Sequence, residues 1–401
     1  MEPCCKREAT ERGATQLYPQ VVRATLQCCF GAVAARTMTL GDVWLDFDPA
    51  ALVLTGLDVD DDLAFLALLA LQRRGRLNLV GVSITAGNAA LRDTLANAKS
   101  LLRLAGVKLE PAAGASYRDM HVPWPWVRRL HNVRGDVASS PAAAEAIRSA
   151  VRARPPHSLT IIALGPLTNV AAALADSQVA GRVGRVVSMG GALDGKRLDL
   201  NWMSDRAAAR AVLASKVPLT VAPVELCAQA AVRIQDVDRL VARCCPGAAV
   251  CSLARAMRRQ CAFSRRFVNR GLVARVPDAH SALVGDAFVP WDVVAVLAVA
   301  EPELFGVWRE FDVTVSPCAS GEPCDGTVAV RLSGSVLAPT RLAPGGVVDA
   351  LVDLVCEVPA VGPAPGIVGA PVLFLGSFAV AVIVPLLLLR GVVSKFRSKT
   401  S

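Results

Sequence analysis

Six aspartates lie close together in an otherwise apolar part of the chain. They are Asp46, Asp48, Asp58, Asp60, Asp61 and Asp62. Like charges at this density repel one another, and a bound cation makes the arrangement favourable. Oxygen ligands are those that a hard divalent cation such as Ca²⁺ prefers. The alternative is a solvated acidic loop whose aspartates lie at a helix N-terminus, where the helix dipole tolerates negative charge.

The segments around these aspartates and along the rest of the chain alternate between strands and helices. The sequence predicts strands over residues 42–46, 77–85, 159–164, 183–189 and 219–223. It predicts helices over residues 61–73 and 90–105, from residue 167, and over residues 205–214 and 289–300, with a helical, irregular stretch over 234–275 and late strands over 311–316 and 326–332. This alternation is typical of an α/β fold with a mostly parallel central sheet and helices on both faces. In such sheets the site lies beyond the carboxyl ends of the strands, where the polar residues fall.

Short motifs follow one another along the chain. They are Asp46-x-Asp48-Pro49 with Asp60-Asp61, Gly87-Asn88, Leu164-Gly165-Pro166-Leu167-Thr168-Asn169, Met189-Gly190-Gly191, Asp199-Leu200-Asn201 and Trp291-Asp292. Each motif is weak alone, but their order is specific. In this order they resemble the calcium-dependent nucleoside hydrolases of the inosine-uridine preferring type, over residues 41–357. The resemblance implies a nucleoside hydrolase-like fold with a Rossmann-like core, and hydrolysis of the N-glycosidic bond of ribonucleosides.

The resemblance also implies a role for each motif residue. Asp48 would be the catalytic general base. Ca²⁺ would be bound by Asp48, Asp61, Asp292 and the backbone carbonyl of Leu164, where it would orient a water and lower its pKa. The residues expected to bind the ribonucleoside substrate are Asp60, Asn88, His131, Met189, Asp199, Asn201 and Trp291.

Three positions depart from the family pattern. The spacing from Asp48 to Asp60 is longer, Asp199 replaces a glutamate, and Trp291 replaces the histidine that protonates the leaving base in many members. Indole is not an acid near neutral pH, but it stacks on a base, so Trp291 favours purine nucleosides. Trp291 would otherwise only pack the helix start beneath Asp292. Among the four histidines, His131 is then the best remaining candidate.

Other interpretations of the motif residues stay open at this point. Asn88 and Asn201 are also typical turn or capping residues, Met189 is typical of a core, and Asp199 alone would suit a solvated loop. A membrane-anchored nucleoside-binding pseudoenzyme would keep the same pocket. A phosphatase that uses Asp46-x-Asp48 is a poorer match, because the later motifs have no place in it.

The C-terminal tail is strongly apolar. No charge occurs over residues 358–389, and the run from 370 is close to the ~20 residues that span a bilayer. We predict an N-terminal extension over 1–40, a Pro/Gly linker over 358–369, a transmembrane helix over 370–390 and a basic tail over 391–401. Since residues 1–40 contain no recognisable signal peptide, we expect membrane anchoring after synthesis, with the catalytic domain over 41–357 in the cytosol. The basic tail favours the opposite orientation by the positive-inside rule.

The composition limits the class of partner. The formal net charge is +9, but arginine is scattered and tyrosine occurs only twice, so nucleic-acid binding is not expected. The twelve cysteines show neither zinc-type pairing nor the spacing of a disulfide framework, which predicts reduced thiols. Lipidation of Cys4-Cys5 remains an alternative. A homo-oligomer is compatible with the sequence, which does not decide the oligomeric state.

Overall fold

The computed structural model describes residues 39–50, 59–117, 137–193, 199–244, 254–255, 257–258, 261, 287–315, 328–332, 336–343 and 346–358. Four predicted segments lie outside these residues, namely most of the N-terminal extension, nearly all of the linker, the transmembrane helix and the basic tail. Asp58 and His131 also lie outside them. In the part of the chain that the structure describes, no helix combines the length and the apolar character that crossing a membrane requires.

The central sheet is built from nine strands among the described residues. They are β1 (Asp42–Phe47), β2 (Asn78–Ile84), β3 (Ala112–Ala113), β4 (Leu159–Ala163), β5 (Arg185–Met189), β6 (Leu219–Ala222), β7 (Phe305–Val315), β8 (Val328–Leu332) and β9 (Val336–Leu342). Their order is β3-β2-β1-β4-β5-β6-β9-β7-β8. Neighbours from β3 to β9 are parallel, and β7 is antiparallel to both β8 and β9. The predicted mostly parallel α/β sheet is confirmed.

Helices connect these strands. They are α1 (Asp60–Arg73), α2 (Leu91–Leu104), α3 (Ala142–Arg152), α4 (Thr168–Leu174), α5 (Ser177–Ala180), α6 (Leu200–Ser204), α7 (Arg206–Ala214), α8 (Val224–Cys227), α9 (Ile234–Cys244), α10 (Trp291–Ala300) and α11 (Gly346–Cys356). Among the described residues, two short 3₁₀ turns, Ala228–Ala230 and Pro302–Leu304, follow α8 and α10.

Helices cover both faces of the sheet, as β1 shows. Successive side chains of a strand point to opposite faces. Val43 and Leu45 belong to one buried apolar cluster, together with residues of α1, α10 and α11. Trp44 belongs to a second cluster, together with residues of α3, α4 and α7. The sheet therefore lies between two apolar layers.

Helix α1 brings acidic residues into the interior. All of its residues from Asp60 to Leu71 are buried, because the helix is apolar on every side and packs against α10, α11 and the sheet. A helix that is apolar all round is a core helix. Its first turn, which carries three aspartates, is buried with it.

The structure also differs from the sequence prediction. Strand β9 was not predicted, and it lies between β6 and β7, so the late part of the chain adds three strands rather than two. Where the structure describes the predicted helical stretch over 234–275, it is helical: α9 covers Ile234–Cys244, and residues 254–255, 257–258 and 261 are also helical. Cys227 and Cys261 are free thiols, as expected, but Cys356 is disulfide-bonded, which contradicts the expectation of reduced thiols at that position.

Candidate active site

The polar residues of the motifs meet at the carboxyl ends of four neighbouring strands, β2, β1, β4 and β5. The strand ends carry Asn88, Asp46 and Asp48, Leu164, and Met189. Helices α1 and α10 begin at the same site and supply Asp60, Asp61, Trp291 and Asp292. This is the position at which parallel α/β sheets bind their ligands.

Three buried carboxylates form a compact group at the starts of α1 and α10. One carboxylate oxygen each of Asp60, Asp61 and Asp292 lies within 4.8 Å of the others. The three residues are 4%, 1% and 3% exposed. Like charges buried this closely destabilise the fold unless a cation neutralises them. The all-oxygen donor set fits a hard divalent cation such as Ca²⁺. Asp61 and Asp292 were predicted as metal ligands, and Asp60 was predicted to bind substrate.

Asp48 is joined to this group through Asp61. The backbone N–H of Asp48 donates to Asp61 Oδ1 at 3.2 Å. The backbone N–H of Asn88 donates to Asp48 Oδ2 at 2.6 Å, and the Asn88 side-chain amide donates to Asp61 Oδ2 at 2.8 Å. Asn88 therefore holds the predicted general base and a predicted metal ligand at the same time.

Two glycines make room for the Asp48 carboxylate. A Cβ atom on Gly87 would lie 2.0 Å from Asp48 Oδ2, and one on Gly165 would lie 2.4 Å from Asp48 Oδ1. Both distances are far shorter than a van der Waals contact. The Gly-Asn and Leu-Gly-Pro motifs therefore contain glycine because the backbone passes directly beside this carboxylate.

Asp46 lies beneath the site and is fully buried. Its Oδ1 accepts hydrogen bonds from Ser83 Oγ at 2.5 Å and from Asn169 Nδ2 at 2.9 Å, and its Oδ2 has no hydrogen-bond partner among the described residues. Burial raises the pKa of Asp46 to about 7, although the hydrogen bonds from Ser83 and Asn169 act in the opposite direction. Asp46 is thus a structural member of the motif, and it fixes the end of β1 below Asp48.

Sequence reasoning assigned no role to Asn169, which joins several segments below the site. Its Nδ2 donates to Asp46 Oδ1 and, at 3.2 Å, to the carbonyl of Ile84, and its Oδ1 accepts from the N–H of Ala115 at 2.9 Å. Ser83 was missed as well. A single polar residue within an apolar strand was the available signal, because buried polar groups require partners.

Asn201 connects the ends of β4 and β5. Its Nδ2 lies 2.6 Å from the carbonyl oxygen of Leu164 and 3.3 Å from that of Met189. A carbonyl oxygen has two lone pairs, so the bond from Asn201 leaves Leu164 with acceptor capacity for a cation. The structure therefore brings both predicted residues to one point.

Asp199 precedes α6 and is 5% exposed. Its two carboxylate oxygens accept from the backbone N–H groups of Asn201, at 3.0 Å, and Trp202, at 2.8 Å. Burial raises the pKa of Asp199 to about 6, against the effect of hydrogen bonds from the backbone of Gly191, Trp202 and Asn201. The solvated loop that the sequence left open as an alternative is excluded for this residue.

The model of the inosine-uridine preferring nucleoside hydrolase family matches residues 43–348. This chain belongs to that family. The chain is 31% identical to uridine nucleosidase 1 of Arabidopsis thaliana over 206 residues, which is 47% of this chain and 60% of the relative. It is 28% identical to the pyrimidine-specific ribonucleoside hydrolase RihA of Shewanella sp. MR-7 over 45% of this chain and 60% of the relative. The chain thus spans less than two thirds of the length of these curated relatives.

Solved structures of this nucleoside hydrolase family share the fold. A plant nucleoside hydrolase, PpNRh1, has a TM-score of 0.60 at 20% identity, over 79% of this chain and 99% of that one. A purine-preferring ribonucleoside hydrolase from Gardnerella vaginalis has a TM-score of 0.60 at 20% identity, over 79% of this chain and 98% of that one. At this identity the likeness shows the fold alone.

In this nucleoside hydrolase family member, Trp291 is the first residue of α10 and is half-buried. Part of its ring packs against the apolar cluster beneath the site, so packing accounts for one part of its surface and leaves another accessible. Its backbone carbonyl lies 3.6 Å from the Sγ of Cys227. Burial, together with the nearby Asp292, raises the pKa of the Cys227 thiol, which keeps this sulfur protonated and unreactive.

Proposed function

We propose that this protein hydrolyses the N-glycosidic bond of ribonucleosides to free base and ribose. Membership of the nucleoside hydrolase family supports this activity. The observation that carries it is the buried arrangement in which Asn88 holds Asp48 and Asp61 beside a group of three carboxylates. Without a cation and a polar substrate, this arrangement would only destabilise the protein.

The proposed cation is Ca²⁺, held by Asp48, Asp61, Asp292 and the backbone carbonyl of Leu164. When bound, it would supply positive charge that lowers the pKa of a water at the site. The close group that Asp61 and Asp292 form with Asp60 supports two of these ligands, and the hydrogen bond from the N–H of Asp48 to Asp61 places Asp48 beside them. A carboxylate has two oxygens with several acceptor sites, so Asp60 can lie close to the cation and still accept a hydrogen bond from a ribose hydroxyl.

The protein's own residues then perform the proton transfer and hold the sugar. Asp48 takes a proton from the attacking water while the oxygen of that water bonds to the anomeric carbon. The N-glycosidic bond breaks, and its electron pair passes to the base. The N–H of Asn88 holds the carboxylate of Asp48 in place, and a hydrogen bond to the charged form favours ionisation. Asn88, Met189 and Asn201 would line the ribose, whose positioning contributes to the rate.

For the leaving base, we propose that Trp291 stacks on it and that the enzyme favours purine nucleosides. Two relatives are named for uridine or pyrimidine substrates, whereas one solved structure is named as purine-preferring. These names do not agree on a base, so this proposal depends on Trp291 itself. A stacked purine accepts a proton from solvent at a ring nitrogen, whereas uridine has no equally basic one. Stacking contributes roughly 1–3 kcal/mol per base in nucleic-acid sites.

The base preference is tested by kcat/KM for inosine, guanosine, adenosine and uridine. We expect higher values for the purine nucleosides, and Trp291→Ala should remove most of the difference. Trp308→Ala is the matched control, because Trp308 is a half-buried tryptophan of β7. Faster hydrolysis of uridine than of all three purine nucleosides would exclude the stacking role and would make His131 the next candidate acid.

The activity is tested by release of ribose from the same nucleosides, before and after removal of divalent cations. We expect release that chelation abolishes and Ca²⁺ restores. Binding of a nucleoside without release of ribose, under every metal condition, would instead support a nucleoside-binding pseudoenzyme.

We further propose that residues 370–390 anchor the protein in a membrane, with the catalytic domain in the cytosol. The support is the apolar run and the absence of charge over residues 358–389. A chain truncated after Val358 should leave the membrane fraction and keep its activity. Membrane retention of that truncated chain would place the anchor elsewhere, with Cys4 and Cys5 as the first candidates.

A further inference from the structure

The carboxylate of Asp199 is occupied by the backbone of two different segments. Oδ1 accepts from the N–H of Asn201 at 3.0 Å and Oδ2 accepts from the N–H of Trp202 at 2.8 Å. The N–H of Gly191 also donates to this carboxylate. We call this arrangement, made of Asp199, Gly191, Asn201 and Trp202, the Asp199 clasp. It leaves neither oxygen without a main-chain donor.

The hydrogen bonds of the Asp199 clasp connect the start of α6 to the turn that follows β5. Gly191 lies two residues after the end of β5, whereas Asn201 and Trp202 lie in the first turn of α6. The indole N–H of Trp202 donates to Ser188 Oγ at 3.0 Å, and Trp202 is 2% exposed. Helix α6 is therefore held against β5 at two separate points, one on its backbone and one on a buried side chain.

This placement determines where the amide of Asn201 points. The amide nitrogen carries two hydrogens, and it lies within hydrogen-bond distance of the carbonyl oxygens of Leu164 and Met189. Those carbonyls belong to the ends of two adjacent strands, so a small rotation of α6 would break at least one of the two bonds. The amide oxygen of Asn201 is consequently presented in one orientation, as an acceptor for a sugar hydroxyl.

We propose that Asp199 is a positioning residue that acts through Asn201 and does not contact the substrate. The proposal rests on the nucleoside hydrolase activity proposed above. Its physical basis is that three main-chain N–H groups, those of Gly191, Asn201 and Trp202, take up most of the acceptor sites of a carboxylate that is 5% exposed, so a substrate hydroxyl has little access to it. Asp199 is also one methylene shorter than the glutamate of the family pattern, which keeps it at the backbone. Substrate recognition at this edge of the site then belongs to Asn201.

A double-mutant cycle tests this role. Asp199→Asn keeps the size of the side chain and one acceptor oxygen. It replaces the other oxygen with an amide nitrogen, which cannot accept a hydrogen bond from a backbone N–H. The loss of one or two of the hydrogen bonds that hold α6 predicts a fall in kcat/KM of roughly tenfold. In the Asn201→Ala background, Asp199→Asn should cause no further fall. Equal falls in both backgrounds would show that Asp199 acts independently of Asn201, as a substrate ligand does, and would overturn the proposal.

Asp176 provides a matched control. It caps the short helix α5 on the surface: its Oδ1 accepts from the N–H groups of Gln178 and Val179, and its Oδ2 accepts from Arg152. Asp176→Asn makes the same chemical change at a helix start outside the site, and we expect an unchanged kcat/KM. If Asp199→Asn does not fold, Asp199→Ser replaces it in the cycle, because serine is also a favoured N-cap residue.

A second measurement does not depend on catalysis. In protein labelled with ¹⁵N at asparagine, the side-chain amide signal of Asn201 is identified by its loss in Asn201→Ala. Asp199→Asn should shift this signal and speed its hydrogen exchange roughly fivefold or more, which corresponds to the loss of about one hydrogen bond. An unchanged signal would overturn the proposal. If the wild-type protein releases no ribose from any nucleoside, the proposed function fails, and this measurement still decides the role of Asp199.

Discussion

The two ends of helix α1 carry charges in opposite ways. At its N-terminal end, Asp60 and Asp61 lie buried beside Asp292. At its C-terminal end, Arg74 forms an ion pair with Glu357, and the side chains are 37% and 44% exposed. The C-terminal charges are thus neutralised within the protein and in contact with water. The N-terminal charges gather like signs in the interior.

The two ends of α1 therefore differ in their effect on the free energy of folding. Exposed ion pairs contribute about 0–1 kcal/mol to stability, so the ion pair at the C-terminal end changes the free energy of folding only slightly. Buried like charges raise the free energy of the folded state, and a ligand that binds only the folded state offsets that cost. The N-terminal end is therefore where ligand binding and stability should be coupled.

The largest expected effect concerns Asp48, which is joined to the N-terminal end of α1 through Asp61. Asp48→Ala should lower kcat by roughly 10²–10⁴-fold, the usual range for the loss of a general base, with a smaller change in KM. Steady-state kinetics on the best nucleoside measures it. Asp312→Ala, at an exposed position of β7, is the control and should retain full activity. A variant at Asp48 with near-normal kcat would remove it from the chemistry.

The second effect is the coupling of Ca²⁺ to stability. A ligand at a hundred times its Kd stabilises the folded state by about 2.7 kcal/mol, so Ca²⁺ should raise the Tm of chelator-treated protein. Asp61→Asn should abolish both this rise and the activity, because it removes a charged ligand. Thermal unfolding with and without Ca²⁺ measures the effect. Full activity of the wild-type protein in excess chelator would contradict the metal assignment, including the role of Leu164.

The change in Tm caused by Asp61→Asn should reverse its sign when the metal is removed. With chelator present, Asp61→Asn should raise the Tm or leave it unchanged, because it removes one of three like charges buried within 4.8 Å. The same variant should be less stable than the wild type when Ca²⁺ saturates the latter. If Asp61→Asn lowers the Tm by the same amount in both conditions, repulsion among the carboxylates is not a feature of the metal-free protein.

The smallest effect is expected at the C-terminal end of α1. Glu357→Gln should lower the free energy of unfolding by about 1 kcal/mol or less, as for other exposed pairs, and it should leave activity unchanged. The hydrogen bond from Arg74 lowers the pKa of Glu357 below its usual 4.5. Such a pair contributes stability above pH 4.5 and loses it as the pH falls through the lowered value.

Urea unfolding of Glu357→Gln and wild type across this pH range measures the difference, which should shrink towards zero in acid. If Glu357→Gln lowers the free energy of unfolding by several kcal/mol, or lowers activity, the C-terminal end of α1 contributes more to stability or to function than an exposed ion pair does.

Local sequence patterns predicted much of the fold. The alternation of strands and helices indicated the parallel sheet, because period and propensity reflect how each segment meets the core. The late strands were harder to predict. Strand β9 contains Pro339, a residue that normally argues against a strand, and one of its two partners, β6, is distant in the chain. Only pairing with both partners makes it a strand.

For the site, the linear pattern showed which residues follow the strands or begin the helices, and in what order. That was enough to place Asp48, Asp61, Asn88 and Asp292 at one edge of a sheet, since parallel strands all end there. Chemical type and position along an element are local properties, and a linear pattern contains them. Trp291 at the start of its helix is a further example.

Which atoms come into contact depends on how the elements pack. This packing placed Asp60 with Asp61 and Asp292, and it directed both oxygens of Asp199 to the backbone. It also made Asn169 the link between the ends of β1 and β2. Hydrogen bonds and charge contacts act over a few ångströms between residues that are far apart in sequence. Their partners are therefore determined only when the sheet and its helices have packed together.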